Sequence, residues 1–385
     1  MTDAPSIRNR GAIAVSLLAV VLAGLLDVTG PGVFIRDAAL LQHYASLRAT
    51  LSTMDQLGLV LASVLTSMFS VRPLAALFGG CYVALMALGV VAGSLASWML
   101  SGLAAVGAAL GLCAWVQLIR HALLLPRQLR HAVAVLALAA SSLMTVGTAG
   151  LLTPLLLAGP PGLALVVSGA SAFVVVLSLA SLRAPEHRSV PAEHSWLQPA
   201  LGLLAVSVVV SIAVLVLTDS FVDPHELPAD RPWIQALGAV LAELFLLGSC
   251  LWVLRRKPET PSLRLMALIL ATSAVLAPAG ALVLNARWGT APGLVAAFAG
   301  GLASVCVTLL MVVAAARAPE RFVGAVVGAW FVSGTLTFRI SSSLVDDART
   351  SGVFTAGVAL VVPCLFGACA WVLMRFSRSA NESGG

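Results

Sequence analysis

Four charged side chains, Asp27, Asp55, Glu243 and Arg339, stand inside stretches otherwise made of apolar residues. A charge at the centre of a membrane helix costs roughly 2.5–3.5 kcal/mol on insertion scales, so each needs a partner, a water-filled cavity or a route to the surface. Asp27 and Asp55 lie about six residues, and Arg339 about five, from the outer end of their runs, so at a rise of about 1.5 Å per residue the three share a depth of roughly 8–9 Å. Glu243 is nearer the middle of its run. An aspartate and an arginine at one depth can pair and part, which is the chemistry of a gate. A carboxyl that exchanges protons near neutral pH needs its pKa raised about three units from a reference of about 3.9, roughly 4 kcal/mol, which burial alone can supply. Arg339 pulls its own partner the other way. One aspartate therefore stays ionised as the gate partner, assigned to Asp55, and another exchanges protons, assigned to Asp27. The alternative is that both aspartates reach headgroup water while Arg339 snorkels outward. Glu243 lies too deep to snorkel and faces either a cavity or a buried hydrogen bond. The sequence leaves both pairs of readings open.

The elements that must hold these groups follow from composition. Of 385 residues, 60% are apolar and 10% charged, with a mean hydropathy of +1.02; a soluble domain carries about 25% charged residues, so this chain cannot clothe a water-exposed surface and belongs in lipid. A spanning helix needs about 20 mainly apolar residues. Breaks at charges, Pro and Gly give twelve runs, near 11–33, 49–70, 73–97, 100–119, 131–157, 161–182, 198–218, 233–254, 264–284, 291–316, 322–344 and 352–374. The first run follows Arg8 and Arg10 but is too long for a signal-peptide core and has many similar successors, so it is expected to be retained.

With the N-terminus inside, the inner connections hold 16 of the 22 Lys and Arg residues and the outer ones five, the bias that places positive loops in the cytoplasm. The expected fold is therefore an all-α membrane protein of twelve transmembrane helices in two six-helix bundles, both termini cytoplasmic: residues 1–182, a cytoplasmic linker 183–199, and 200–385 with a short cytoplasmic tail. The outer segment Asp219 to Pro232 is the most acidic, with Asp219, Asp223, Glu226 and Asp230; solvated surface explains it, and a cation-collecting vestibule is the sharper alternative.

Further polar groups mark a possible central cavity: Gln117 and Trp115 in the fourth run, Gln56 beside Asp55, and Asn285. Trp98, Trp196, Trp233, Trp252 and Trp288 lie near run ends, as interfacial anchors do. Gly107 to Gly111 and Gly324 to Gly328 present small faces for close helix contact. Gly30-Pro31-Gly32, Gly147, Gly150 with Pro154, and Pro278 with Gly280 can bend helices or simply pack as kinks. The six cysteines sit in apolar runs without ligand spacing and read as small core residues. The six histidines are scattered over expected loops. No phosphate loop, HExxH, nucleophile elbow or paired aspartate-rich motif is present, so an enzyme would be short of parts and no cofactor or metal site is implied. The net charge of +6 is spread between spans rather than gathered on one face, which excludes a nucleic-acid surface.

With span count, six-plus-six division and orientation in hand, the pattern resembles the major facilitator superfamily over nearly the whole chain. Leu26-Asp27-Val28-Thr29 is similar to the Leu-Asp-x-Thr signature of the EmrB/QacA-type drug/proton antiporters; Gly147-Thr148-Ala149-Gly150 with Pro154 is similar to part of the fifth-span antiporter motif, and Arg255 to Glu259 resembles an inner loop of that branch. The second-to-third connection, Phe69-Ser70-Val71-Arg72-Pro73, has Arg72 alone where the family carries a Gly, an Asp and several basic residues that latch the inner gate, and the fourth span lacks the family's embedded Arg. The resemblance implies a multi-pass transporter of a bacterial inner membrane, exporting a hydrophobic or amphipathic small molecule in exchange for protons. Asp27, Glu243, Gln117 and Trp115 would couple protons or bind substrate, and Asp55, Arg339 and Arg72 would gate. Its partners would be membrane lipid, the small molecule and protons, with no protein partner identified. A non-transporting polytopic subunit or scaffold with decayed gating signatures is the alternative.

Overall fold

A chain in lipid must satisfy its backbone polar groups within itself, and helices do so. The computed structural model describes residues 7–34, 44–92, 97–147, 161–182, 196–219, 262–278, 290–348 and 352–382, and every regular element among them is helical. In chain order these are α1 (Ile7–Phe34), α2 (Tyr44–Met68), α3 (Val71–Ala92), α4 (Ser97–Leu123), α5 (Arg127–Gly147), α6 (Pro161–Ser181), α7 (Leu197–Asp219), α8 (Ser262–Leu276), α9 (Thr290–Arg317), a 3-10 turn (Glu320–Phe322), α10 (Val323–Ala348) and α11 (Gly352–Glu382). They coincide with eleven of the twelve expected runs. The run near 233–254, with Glu243, lies outside the described residues, as do Gly150 and Pro154. Among the described residues, five helices (α3, α4, α7, α9 and α11) hold windows long and apolar enough to cross a membrane.

Local chemistry explains several ends. Pro161 opens α6 and Pro73 sits in the first turn of α3, where a missing N–H costs no helix bond. The run expected to reach 284 stops as α8 at Leu276, two residues before Pro278, because proline disfavours the helical conformation in its predecessor. α1 instead continues through Gly30-Pro31-Gly32 to Phe34, and α11 continues through Pro363. Hydroxyls in these apolar helices fold back on their own backbone: Ser16, Thr66, Ser171 and Ser273 each donate to the carbonyl four residues earlier, at 2.7 to 3.1 Å.

The described contacts divide the chain into two compact units. Unit 1 comprises residues 1–130, 140–196 and 315–332. Its axis is α4, against which α1, α2, α3 and α6 all pack, and α6 also packs on α1 and α3. A Cβ at Gly58 would collide with the Ala105 carbonyl, so α2 and α4 approach backbone to backbone there. The Tyr82 hydroxyl of α3 and the Ser168 hydroxyl of α6 share a buried hydrogen bond of 2.8 Å. Unit 2 comprises 131–139, 197–314 and 333–385. There α11 packs on α7 and α8, and the Cys306 thiol of α9 lies 3.8 Å from the Met266 carbonyl of α8.

Burial separates interior from peripheral helices in each unit. In α4 and in α9 72% of the spanning window is buried, against 39% in α3 and 33% in α11. Leu77, Val91, Val275 and Leu360 project exposed apolar surface, as lipid-facing residues do. Of the cysteines read as core residues, Cys113, Cys306 and Cys369 are buried, whereas Cys81 and Cys364 are exposed on helix faces. That difference follows from the solvent: in lipid a small apolar thiol costs little on the outside.

Candidate functional site

Among the described residues of unit 1, the second half of α4 carries a group of polar side chains: Gln117, Arg120 and His121. That helix runs four residues beyond the expected limit of 119, so Arg120 and His121, read from sequence as loop residues, form its last turn. Cations are favoured there by the unpaired carbonyls of a helix C-terminus. Arg130 of α5 extends the effect: its guanidinium donates to the carbonyls of Leu123 at 3.0 Å and Leu125 at 3.3 Å, capping the end of α4.

Gln117 and His121 stand four residues apart on one face of α4, both buried, with the Gln117 amide donating to His121 Nε2 at 3.0 Å. The His121 Nδ1 is buried without a hydrogen-bond partner among the described residues. Trp115, also buried, meets Phe331 of α10 with ring centroids 5.6 Å apart and planes at 52°, a tilted aromatic pair. Arg120 donates to the Thr66 carbonyl at 2.9 Å, capping the C-terminus of α2 just before the chain turns into α3. Its guanidinium also interacts electrostatically with Glu320 of the 3-10 turn.

Glu320 and its neighbours extend this cluster. Phe322 stacks on Trp196, the residue before α7, with centroids 5.4 Å apart and planes at 27°. The Arg321 guanidinium lies 4.8 Å from the centre of the Phe322 ring, within cation–π range. Where α10 begins, a Cβ at Gly324 would collide with Thr66 and one at Gly328 with Ser63. The small face read from sequence at Gly324 to Gly328 is therefore a site of close helix approach.

The structure brings together only part of the expected set. Trp115 and Gln117 share the interior of α4. Asp55 is half-buried on α2, and Arg72 is exposed at the second position of α3, with no hydrogen bond or ion pair to a described residue. Asp27 lies on α1 and Arg339 on α10, but their side chains are outside the described residues, so the expected Asp55–Arg339 pair is not among the contacts here. Glu243 lies outside altogether. Sequence reasoning missed Arg120, His121, Thr66 and Glu320. The one available signal was the Gln117/His121 spacing of four, which fits one more helical turn.

No family model matches the chain, and no curated protein sequence matches it. Solved structures do match. One is the outward conformation of FucP, a major facilitator superfamily transporter described as the E. coli fucose:proton symporter: TM-score 0.64, 14% identity, 94% of this chain and 98% of that one covered. Another is a bacterial homologue of the iron transporter ferroportin in an outward-facing state: TM-score 0.67, 15% identity, coverage 96% and 99%. A third is the human organic anion transporter MFSD10 (TETRAN): TM-score 0.60, 16% identity, coverage 97% and 98%. The chain thus carries the major facilitator fold over almost its full length, a multi-pass membrane architecture.

Proposed function

We propose that this protein is a secondary active transporter working by alternating access, with a hydrophobic or amphipathic small molecule as cargo and protons as the coupling ion. The observation that carries the reading is the whole-chain likeness to three transporters of different cargo. Ionisable side chains held in apolar runs add to it: Asp27, Asp55, Glu243 and Arg339 have no ready purpose in a passive scaffold. In this reading residues 1–182 and 200–385 form two six-helix bundles joined by 183–199, with both termini and the Arg-rich connections on the cytoplasmic side of a bacterial inner membrane. Asp27 and Glu243 carry protons or contact cargo, Trp115 and Gln117 line the path, and Asp55 pairs with Arg339 at the outer gate while Arg72 serves the inner one. The leucine and aspartate signature at Leu26-Asp27 favours export over uptake. One charge moving through 100 mV supplies about 2.3 kcal/mol, enough for a roughly fiftyfold gradient.

The test is transport in proteoliposomes under an imposed pH gradient with a panel of amphiphilic cations, anions and neutral compounds. Gradient-driven movement, lost in Asp27→Asn, is expected. Movement unchanged in Asp27→Asn removes that residue from the mechanism, and inactivity across the whole panel in a well-folded preparation favours the scaffold reading.

A further inference from the structure

The membrane-spanning window of α11 runs from Leu360 to Ser377, and Arg375 is the one charged residue in it. A long cation so near the end of a span ordinarily extends to water. This one lies back instead: its guanidinium carbon sits over the Trp371 ring, 4.3 Å from the centroid, one turn further into the window. Helical side chains lean toward the N-terminus of their helix, which here is the direction of the bilayer, so the backbone itself sets that pose. Both side chains are exposed, Trp371 by 57%. Among the described residues Arg375 makes no hydrogen bond or ion pair. The nearest carboxylate along the chain, Glu382, is seven positions on, about 10 Å along the axis. The surface around the cation is apolar. Met374 and Phe376 are exposed, and Phe376 reaches toward α7, where a Cβ at Gly202 would lie 3.5 Å from its ring beside the exposed Leu201.

We propose that Arg375 and Trp371 form a binding site for the phosphate of an anionic phospholipid of the phosphatidylglycerol type, its acyl chains lying along Leu201, Met374 and Phe376. Charge selects the occupant. A cation set in an apolar, lipid-facing surface without a protein anion takes its counter-charge from what covers that surface, and in a bilayer that is lipid. A guanidinium held by an aromatic ring still has N–H donors to spare, and their planar fork matches a phosphate in two parallel bonds. A zwitterionic headgroup brings its own cation to compete for that phosphate, and an anionic one does not. Other arginines lack the combination. Arg10 and Arg264 are exposed with no ring contact among the described residues, and Arg321 lies over Phe322 but outside the five spanning windows. In the proposed orientation the site faces the inner leaflet, but it rests only on α11 lying in a bilayer.

The experiment uses the full chain, purified and delipidated in a neutral detergent and titrated in separate arms with dioleoylphosphatidylglycerol, dioleoylphosphatidylcholine and inorganic phosphate. The readout is the affinity of the first bound lipid by native mass spectrometry, with monodispersity and retained phosphatidylcholine binding as the folding control. Phosphatidylglycerol is expected to bind about tenfold more tightly than phosphatidylcholine, and Arg375→Gln to lower its affinity roughly five- to tenfold. Trp371→Leu, which keeps the charge and removes its platform, is expected to lose about two- to fivefold. Arg10→Gln, an equal loss of charge on α1, is expected to bind as the parent does. A parental phosphatidylglycerol affinity in both Arg375→Gln and Trp371→Leu overturns the site. Equal affinity for the two lipids overturns the choice of an anionic headgroup, and a loss in Arg10→Gln equal to that in Arg375→Gln reduces the effect to net charge. Displacement of the lipid by an equal concentration of inorganic phosphate overturns lipid as the occupant, as does a dimer of the chain that Arg375→Gln dissolves. The assay needs neither cargo nor gradient, so a protein that transports nothing keeps the site, and a transporter without preference for phosphatidylglycerol keeps only its transport.

Discussion

α4 and α9 are the interior helices of the two units, equally buried and both ending in an arginine-bearing last turn, yet they handle polarity in opposite ways. On α4, Gln117, Arg120 and His121 stand within two turns and reach other groups: a side chain, a neighbouring helix terminus and an acidic turn. On α9 the buried Thr308 returns its hydroxyl to its own helix at 3.3 Å, and Arg317 has no hydrogen bond or ion pair to a described residue. Burial alone therefore does not make a site. What distinguishes α4 is that Arg120 binds a neighbouring helix terminus and that Gln117 and His121 bond side chain to side chain instead of returning to the backbone.

The comparison can be broken at its steric foundation first. Gly58→Leu forces a side chain into the Ala105 carbonyl and should cost at least the roughly 1–3 kcal/mol of overpacking, seen as a fall in the thermal midpoint of the purified protein in detergent. Gly80→Leu on α3, where an added Cβ would meet nothing within 4 Å, should stay within about 0.5 kcal/mol. The second test sets the two arginines side by side. Arg120→Gln should lose about 1.5–3 kcal/mol, the range for a hydrogen bond to a charged group, whereas Arg317→Gln should move stability by no more than about 0.5 kcal/mol. Equal losses would mean that position at a helix end, not partnership, sets the value of such a residue.

A third contrast concerns neutral groups. Gln117→Leu removes the amide that satisfies His121 Nε2 and should cost about 1–3 kcal/mol, while Thr308→Val, whose hydroxyl bonds only a backbone carbonyl of its own helix, should cost less than about 1 kcal/mol. The smallest effect belongs to the hydroxyl–hydroxyl bond between α3 and α6. A double-mutant cycle of Tyr82→Phe and Ser168→Ala should give a coupling near 0.6 kcal/mol and no more than about 1.7 kcal/mol, because in the unfolded state within the membrane both hydroxyls find other partners.

Much of the fold was legible because lipid imposes a length. A run of about 20 apolar residues must be a helix when its backbone has no water to bond, and eleven of the twelve expected runs coincide with described helices. The ends were less legible. Arg120 and His121 look like the start of a loop, but Thr66, Glu320 and Gln117 give them partners, and a partnered polar residue can stay in a helix. Pro278 ended α8 early where Pro31 and Pro363 did not end their helices, a distinction that periodicity does not encode. The site was the least legible part. Embedded charges announce themselves one at a time, but nothing in the spacing of Thr66, Arg120, Trp196 and Glu320 says that a late stretch of chain will settle among the early helices.

The bond from Arg120 to the Thr66 carbonyl also bears on how the protein is made. Its two residues are 54 positions apart, whereas Glu320 leaves the ribosome about 200 residues after Arg120, a delay of roughly 10–40 s at usual elongation speeds. Throughout that interval the half-finished chain must shelter a cation beside the bilayer, and the carbonyl of Thr66 is the berth already built for it.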